Sequence, residues 1–416
     1  MQVFKFGGAS VSTLERIYKV AEILKNYSGQ KLLVVVSAMG KTTNALEGVV
    51  NAFYKGDREE ALQQFEVIKK QHLQIAADLQ LNDDYLVDFF TEVEWLLHDK
   101  PVRHYDYYYD QVVCVGELLS TIIISRFLDL QGVKNEWVDV RDILRTDNNF
   151  RDARINWPVT SLKVQQQVLP FFNGVDIVLT QGFIGATDEN ESTTLGREGS
   201  DYTAAVFANL LNAQAQTIWK DVPGVMNADP KQYAAATLIK ELNYKEVIEM
   251  AYYGAQVIHP KTIKPLQNKS IPLLVKSFLQ PKANGTTIHD KAVAQLPPII
   301  VYKQAQALVQ LSSRDFSFVG EGLTAKVYTV FEDLKFRPNL TQNAAISLQC
   351  VVDDLPEKVE GFAHALAADF DVQVVKDLTL LTIRHYTEDL LQELCSDCEV
   401  LLQQKTPETV QVLLKK

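Results

Sequence analysis

Cysteine is scarce in this sequence, and long apolar runs are missing from it. The 416 residues include four cysteines, too few for a disulfide-stabilised secreted scaffold. No run reaches about 18 uninterrupted apolar residues, so we expect no membrane helix. The first residues lack the basic segment and apolar stretch of a secretory signal. These absences together predict a cytoplasmic protein without a membrane partner.

Positive charge is also in deficit. The chain carries 41 basic and 52 acidic side chains, a net charge of −11. Nucleic-acid-binding domains usually present a clustered basic surface, so we predict no nucleic-acid partner. Cys395 and Cys398 form a CxxC pair, but a zinc site needs two more ligands and none lies nearby in sequence. With 47% hydrophobic residues, the chain is typical of a globular protein of roughly two to three domains.

Strand-like and helix-like segments alternate through the first part of the chain. Strand-like runs occur at 2–6, 31–37, 136–140, 176–180, 216–219 and 271–275. Helical patterns occur at 14–27, 116–131, 161–171, 201–211 and 244–254. This alternation predicts a largely parallel sheet with helices on both faces. Residues 45–110 interrupt it with a helical insertion, whose tyrosine cluster at 105–109 is more typical of packing or a subunit contact than of a ligand site.

A domain boundary is indicated between residues 285 and 298, where a glycine and two consecutive prolines end the α/β pattern. We therefore predict one domain at 1–290 and a second region at 299–416. In the second region the predicted order is β-α-β-β-α-β, followed by a shorter β-α-β-β. That order is typical of α+β, ferredoxin-like units.

Glycines and polar side chains follow several predicted strands. Lys5 ends the first strand, and the paired Gly7 and Gly8 could let backbone N–H groups approach a phosphate at a helix N-terminus. An ordinary turn is the alternative for that pair. Ser37 begins a segment containing Gly-Lys-Thr, but Val35 stands where a P-loop requires glycine, so we reject a P-loop. Ligands bind outside the carboxyl ends of parallel strands, so this segment could still contact a substrate.

Two further segments carry opposite charges. Glu117 lies in an apolar stretch, so it must be near a surface or have a partner. Arg197 lies in a glycine-rich loop and is the preferred bidentate partner for a carboxylate. Ser200 and Asp201 follow it, and both could equally be ordinary helix caps. Together, a phosphate cradle, an ammonium-pairing carboxylate and a carboxylate-pairing arginine suit an amino acid and a nucleoside triphosphate.

Six motifs in a consistent order indicate a family. They are KFGGASV (5–11), GELLST (116–121), QGFIG (181–185), TLGREGSDYTA (194–204), DVPG (221–224) and GAQVIHP (254–260). With them the chain resembles the aspartate kinases of the amino-acid-kinase superfamily over nearly all of residues 1–290. The resemblance implies a three-layer α/β/α sandwich followed by ACT-like regulatory domains. It also implies transfer of the ATP γ-phosphate to the side-chain carboxylate of L-aspartate, with Mg²⁺, at the entry to lysine, threonine, methionine and diaminopimelate synthesis.

The resemblance also implies roles for individual residues. The transferring phosphate would be contacted by Lys5, with Asp201 ordering it and with backbone donors at Gly7 and Gly8. Aspartate would be held by Thr43, Glu117, Phe183, Arg197 and Ser200. The nucleotide would lie against Ser37, Lys220, Asp221, Met226, Lys231 and Gln256. Magnesium would be held chiefly by the nucleotide phosphates, so we expect no protein metal ligands.

Five positions depart from the family pattern, most of them on the nucleotide side. Ala9 and Lys220 replace threonines, Met226 a tyrosine, Lys231 an arginine and Gln256 a lysine. Lys231 keeps the charge of arginine without its fork, and Lys220 could supply the charge missing at Gln256. We therefore expect these departures to change the affinity for the nucleotide, or the choice of nucleotide, more than the binding of aspartate.

The C-terminal region departs further from the family. Asn339 stands where family effector sites carry an acidic residue, and the second ACT-like unit stops before its last helix and strand. We therefore expect altered or absent inhibition by lysine or threonine. The resemblance also implies a homodimer or larger homo-oligomer formed through the ACT region.

Two other functions stay open. One is a different kinase of the superfamily, acting on glutamate, acetylglutamate or a nucleotide. The pair Glu117 and Arg197 favours a free α-amino acid over an acetylated one, which has no ammonium. The other is a weakly catalytic amino-acid sensor, suggested by Ala9, Met226 and Gln256.

Overall fold

The computed structural model describes residues 1–255, 258–315 and 317–415. Within it the chain divides into two compact units. The first unit comprises Met1–Val225, Leu238–Ile248 and Val257–Val293. The second unit comprises Met226–Thr237, Glu249–Gln256 and Ala294–Lys416.

These units differ from the predicted domains by two short segments. Residues 226–237 and 249–256 were expected in the first domain but belong to the second unit. The physical reason is apolar packing, since Tyr233 and Ala236 pack with Ile300 in a core of the second unit. Contacts of this kind join residues far apart in sequence, which local composition cannot predict.

The first unit is built on a central sheet. In chain order its strands are β1 (Gln2–Phe6), β2 (Leu32–Val36), β3 (Asn135–Val138), β4 (Ile177–Gln181), β5 (Ile184–Ala186), β6 (Ser192–Thr194), β7 (Gln216–Lys220), β8 (Glu241–Asn243), β9 (Leu273–Ser277) and β10 (Thr286–His289). Eight of them form one sheet in the order β3-β4-β2-β1-β7-β9-β10-β8, and β5 pairs with β6. Within the eight-stranded sheet, neighbours are parallel except β9 and β10. Every residue of β2 and β4 is buried, so both faces of the sheet are covered, and the predicted α/β sandwich is confirmed.

Helices connect these strands. They are α1 (Leu14–Lys25), α2 (Thr42–Tyr54), α3 (Arg58–Asp78), α4 (Val87–Leu96), α5 (Tyr105–Leu130), α6 (Val140–Ile143), α7 (Trp157–Lys163), α8 (Gly199–Leu210), α9 (Tyr244–Tyr252) and α10 (Pro260–Gln267). The helix expected at 161–171 is wrong as a single α-helix. The chain there passes from α7 through a π-turn into a 3₁₀ turn over Leu169–Asn173. Pro170 lacks the N–H that a continuing α-helix would use.

Helix α5 is longer than the sequence suggested, because it begins at Tyr105 rather than near 116. The tyrosines of its first turns pack on α2, with Tyr108 against Phe53 and Tyr105 against Tyr54. Its length and apolar composition would also allow it to cross a membrane, but 89% of that stretch is buried inside the protein. Helix α5 is therefore buried as the core helix of a domain is. Two later positions on α5, Asp110 and Glu117, are buried carboxylates.

From residue 294 onward, the described residues of the second unit form a six-stranded antiparallel sheet and three helices. Its strands are β11 (Ile299–Ser313), β12 (Pro338–Asn343), β13 (Ser347–Asp353), β14 (Phe370–Arg384), β15 (Glu399–Lys405) and β16 (Thr409–Lys415), in the sheet order β12-β13-β11-β14-β16-β15. Its helices are α11 (Glu321–Asp333), α12 (Pro356–Leu366) and α13 (Glu388–Cys395). The element order is β-α-β-β-α-β followed by α-β-β, which matches the predicted order except that one long strand, β14, ends the first predicted repeat and begins the second. The 15-residue strands β11 and β14 pair along nearly their whole length, so the two predicted halves share one sheet.

Candidate active site

A cavity of about 580 Å³ lies in the first unit, beside residues at the carboxyl ends of β1, β2, β4 and β7. These strands are neighbours in the sheet, so the loops that follow them meet at one edge. The predicted residues that line the cavity are Lys5, Gly8, Ser37, Thr43, Glu117, Phe183, Arg197, Ser200, Asp201 and Lys220. The structure therefore brings most of the sequence-predicted site together.

An ion pair occupies one side of this cavity. Lys5, the next-to-last residue of β1, places its Nζ 2.7 Å from Oδ1 of Asp201 in the first turn of α8. Their side chains are only 12% and 5% exposed, so the pair is held away from most solvent. Asp201 is therefore more than a helix-capping residue, because it fixes the position of a cation at the end of a strand.

The loops beside Lys5 approach each other closely. A Cβ atom added to Gly8 would lie 2.6 Å from the carbonyl oxygen of Ala38, so only glycine fits there. The N–H of Gly40 donates to the carbonyl of Gly8 at 3.0 Å, which joins the loop after β1 to the loop after β2. Gly7 is next to the cation, since a Cβ there would lie 3.2 Å from Lys5 Nζ. The paired glycines thus form a packed backbone corner beside a lysine.

Glu117 is a buried carboxylate that faces the same cavity. It is 3% exposed, and among the described residues its Oε2 has no hydrogen-bond partner. Burial raises the pKa of Glu117 to about 8, and the Ala38 N–H and the charge of Lys5 only partly oppose the rise. Such a group gains most from a ligand that brings a hydrogen-bonding cation to it.

Arg197 lies in the loop between β6 and α8 and is exposed. The loop itself is held by several backbone contacts. Leu195 N–H donates to the carbonyl of Phe183 at 2.8 Å, and Lys261 Nζ donates to the carbonyl of Leu195 at 2.9 Å. Glu198 accepts from the N–H of His259 at 2.8 Å. The guanidinium of Arg197 is thus an exposed cation on an anchored loop, and no ion pair within the described ranges engages it.

Two more predicted residues are placed by tight packing. Phe183 adopts a left-handed backbone with φ of 72°, and its N–H donates to Thr203 Oγ1 at 3.0 Å. Ser200 is buried against Gly182, where an added Cβ would lie 2.5 Å from the Cβ of the serine. The loop after β4 and the start of α8 therefore fit together only because position 182 is glycine.

Some predicted residues do not line this cavity. Asp221 directly follows β7 and is exposed. Met226 and Lys231 belong to the second unit and are not among the residues that line this cavity, so their assignment to the nucleotide site stays a prediction. Their segment packs into the apolar core of the second unit, as described for Tyr233. Gln256 lies outside the described residues.

The structure also adds lining residues that sequence reasoning missed. They are Ala38, Gly40, Tyr109, Arg151, Thr194, Gly196, Glu198 and Gly199. Several of them belong to motifs already noted. Tyr109 belongs to the tyrosine cluster that the sequence favoured as packing or a subunit contact, and it lines the cavity. Arg151 carries no sequence signal. Arg151 stacks over the ring of Tyr109 at 4.4 Å and has a left-handed backbone with φ of 69°. A lone arginine in a polar loop gives no local indication of such a position.

No group of three or more His, Cys, Asp or Glu side chains suited to a metal ion occurs in the part of the chain that the structure describes. Cys395 and Cys398 are free thiols.

Comparison with known proteins relates this chain to a family of enzymes. The model of the amino acid kinase family matches residues 1–277. Lysine-sensitive aspartokinase 3 of Escherichia coli is 31% identical over 354 residues, which cover 84% of this chain and 78% of that protein. Chloroplastic aspartokinase 1 of Arabidopsis thaliana is 31% identical over 369 residues, 84% of this chain but only 63% of the plant protein. The crystal structure of E. coli aspartokinase III with aspartate and ADP, in its R-state, matches with a TM-score of 0.82 and 27% identity, covering 100% of this chain and 96% of that one.

Proposed function

The chain belongs to the aspartokinases of the amino acid kinase family, and we propose that it transfers the γ-phosphate of ATP to the side-chain carboxylate of L-aspartate. The products are ADP and 4-phospho-L-aspartate. One observation carries this proposal. The cavity holds a buried carboxylate whose Oε2 lacks a partner among the described residues, an exposed arginine and a largely buried lysine–aspartate pair. Together they match an amino acid beside a phosphate chain.

Aspartate recognition follows from the charges of the cavity. The α-ammonium pairs with Glu117, whose buried carboxylate lacks a partner for Oε2 among the described residues. The α-carboxylate pairs with Arg197, whose planar fork matches two oxygens. Thr43 and Ser200 supply hydroxyls, and Phe183 forms an apolar wall. An N-acetylated amino acid would leave Glu117 without its cation, so a free amino acid is favoured.

Phosphoryl transfer then needs positioning and charge neutralisation rather than a protein nucleophile. The aspartate side-chain carboxylate is already ionised near pH 7, so its oxygen attacks the γ-phosphorus without a general base. Lys5 stabilises the negative charge on the phosphoryl oxygens, and Asp201 keeps its Nζ in place. The backbone N–H groups of Gly7 and Gly8 would supply further donors to the phosphate.

The nucleotide is proposed to lie toward Ser37, Lys220 and Asp221, with Met226, Lys231 and Gln256 staying predictions. Mg²⁺ would reduce the repulsion between the phosphates and the attacking carboxylate. We expect the phosphate oxygens of the nucleotide to supply most of the ligands of the Mg²⁺ ion.

The cellular setting is proposed from the same similarity. The reaction would be the first step toward lysine, threonine, methionine and diaminopimelate. A cytoplasmic location is consistent with four unpaired thiols. Assembly as a homodimer or larger homo-oligomer through the C-terminal region would agree with the symmetric association common among soluble enzymes.

The test is to trap the acyl phosphate as its hydroxamate. Purified protein with Mg²⁺ and ATP should give hydroxamate with L-aspartate but not with L-glutamate. Lys5→Ala and Arg197→Ala should both lose the product. The exposed residues Lys25 and Arg337 provide matched controls, since Lys25→Ala and Arg337→Ala should retain it. Folded wild-type protein that binds nucleotide but gives no hydroxamate with any triphosphate would contradict an enzyme and favour an amino-acid sensor.

A further inference from the structure

Asp110 is a fully buried carboxylate that the proposed reaction does not use. It lies on α5, and three donors converge on it. Its Oδ2 accepts from the N–H of Thr194 at 2.8 Å and from the N–H of Arg151 at 3.0 Å. Its Oδ1 accepts from the hydroxyl of Thr194 at 2.7 Å. An acceptor-only group suits three donors, so the ionised carboxylate is the form that satisfies this arrangement.

The two partners of Asp110 belong to the walls of the cavity. Thr194 and Arg151 both line it. Thr194 ends β6, and the loop that carries Arg197 begins at the next residue. The carboxylate therefore ties the start of the arginine loop to helix α5 through two hydrogen bonds.

Helix α5 also carries Glu117, the negatively charged residue of the proposed substrate site. Glu117 follows Asp110 by seven residues, which is close to two helical turns and places both on one face of α5. The helix thus holds Glu117 directly, and it holds the arginine loop through Asp110. An α-amino acid has a fixed distance between its ammonium and carboxylate, so the spacing of Glu117 and Arg197 decides how well both can be paired.

We propose that Asp110 is a positioning residue that sets the spacing between the ammonium site at Glu117 and the carboxylate site at Arg197. It touches no substrate and acts through Thr194 and Arg151. This inference rests on the proposed use of aspartate as substrate. It predicts that Asp110 controls the KM for aspartate and leaves the nucleotide side largely unaffected.

The first experiment separates the two substrates. At pH 8, Asp110→Asn should raise the KM for aspartate about tenfold, the loss expected when one charge-assisted hydrogen bond is removed. The KM for ATP should stay within about twofold, and kcat should fall less than the KM for aspartate rises. The control is Asp129→Asn, the same change at an exposed position of the same helix, which should match the wild type.

A second variant covers the case in which Asp110→Asn does not fold. Thr194→Val removes the hydroxyl donor but keeps the N–H and the side-chain shape, and it should raise the KM for aspartate about threefold. Where both single variants fold, the double variant should be no worse than Asp110→Asn alone, because both remove one interaction. Full additivity of the two effects would contradict the coupling.

The pH dependence of the KM for aspartate distinguishes a positioning role of Asp110 from a merely structural one. Burial raises the pKa of Asp110 to about 6, although its three hydrogen bonds act to lower it. The charged or titratable groups around it are Asp106, Tyr109 and Cys114 of the same helix and Arg151 of the facing segment; β6 contributes none. Below about pH 6 the wild-type KM for aspartate should therefore rise more steeply than it does between pH 6 and 8. Asp110→Asn should lack that extra step.

The outcomes distinguish this inference from the proposed function. Wild-type protein without turnover would contradict the kinase activity, and calorimetry of aspartate binding would then replace KM in each comparison. An active wild type with an unchanged KM for aspartate in a folded Asp110→Asn would overturn the positioning role. Equal increases in the KM for aspartate and for ATP would overturn it as well, because they indicate general damage to the cavity.

Discussion

Replacing Glu117 with glutamine should stabilise the ligand-free protein increasingly as pH rises from 4.5 to about 8, while removing its affinity for aspartate. Burial raises the pKa of Glu117 from its ordinary 4.5 to about 8. Glutamine keeps the size and remains neutral at every pH. The protonated carboxyl of Glu117 and the amide of glutamine both leave the atom at the Oε2 position without a hydrogen-bond partner. The cost of that missing hydrogen bond is therefore the same in both proteins, and their stabilities differ only by the cost of ionising the buried carboxyl.

The magnitude follows from linkage. Below pH 4.5 the carboxyl is protonated in the folded and unfolded chains, so the two proteins should be equally stable. Between pH 4.5 and about 8 the unfolded chain ionises first, and wild-type stability falls as pH rises. At about 1.4 kcal/mol per pH unit, the glutamine variant gains roughly 3 kcal/mol at pH 7 and up to about 5 kcal/mol above pH 8.

The assay is thermal unfolding from pH 5 to 9, followed by tryptophan fluorescence. All four tryptophans, at positions 95, 137, 157 and 219, lie in the first unit, so the signal reports on the unit that holds Glu117. Aspartate should raise the wild-type Tm and leave that of Glu117→Gln unchanged. Glu22→Gln, on the exposed side of α1, is the matched control. A stability difference that is the same at pH 5 and pH 8.5 would refute the reasoning.

Three other predictions concern single interactions. Arg197→Lys should raise the KM for aspartate about tenfold with a smaller change in kcat, because a point charge replaces a bidentate fork; initial rates measure both, and an unchanged KM would contradict the role. Lys5→Met should lower kcat by roughly 10²-fold or more and Asp201→Asn by less, as measured by ADP release at saturating substrates. A larger loss for Asp201→Asn would show that the aspartate does more than order the lysine. Added lysine or threonine should leave the rate unchanged, because Asn339 is a neutral amide that already accepts from Lys303 Nζ at 2.7 Å; a rate that falls with added lysine would refute this.

The sequence determined those features that depend on neighbours along the chain. Continuous β-branched runs such as residues 32–36 form strands buried on both faces, and their alternation with helical periods is sufficient for a parallel sheet. Parallel strands bring their carboxyl ends to one edge, so Lys5 and the segment that follows β2 could be placed together from the sequence. Glu117 in α5 and Arg197 after β6 were joined to them by the family resemblance.

Features that depend on distant partners were decided only by the tertiary structure. The three-residue strands β5 and β6 are too short for a periodic signal and exist through their pairing with each other. The antiparallel placement of β10 likewise depends on its register with β9.

The same limit applies to the site. Nothing near Asp110 in sequence indicates that Thr194 and Arg151 will meet it, because those residues lie 84 and 41 positions away. A buried carboxylate acquires its role from the donors that folding brings to it. Local sequence therefore fixed which charges are available, while the packing of α5 against the loops fixed how they are paired and spaced.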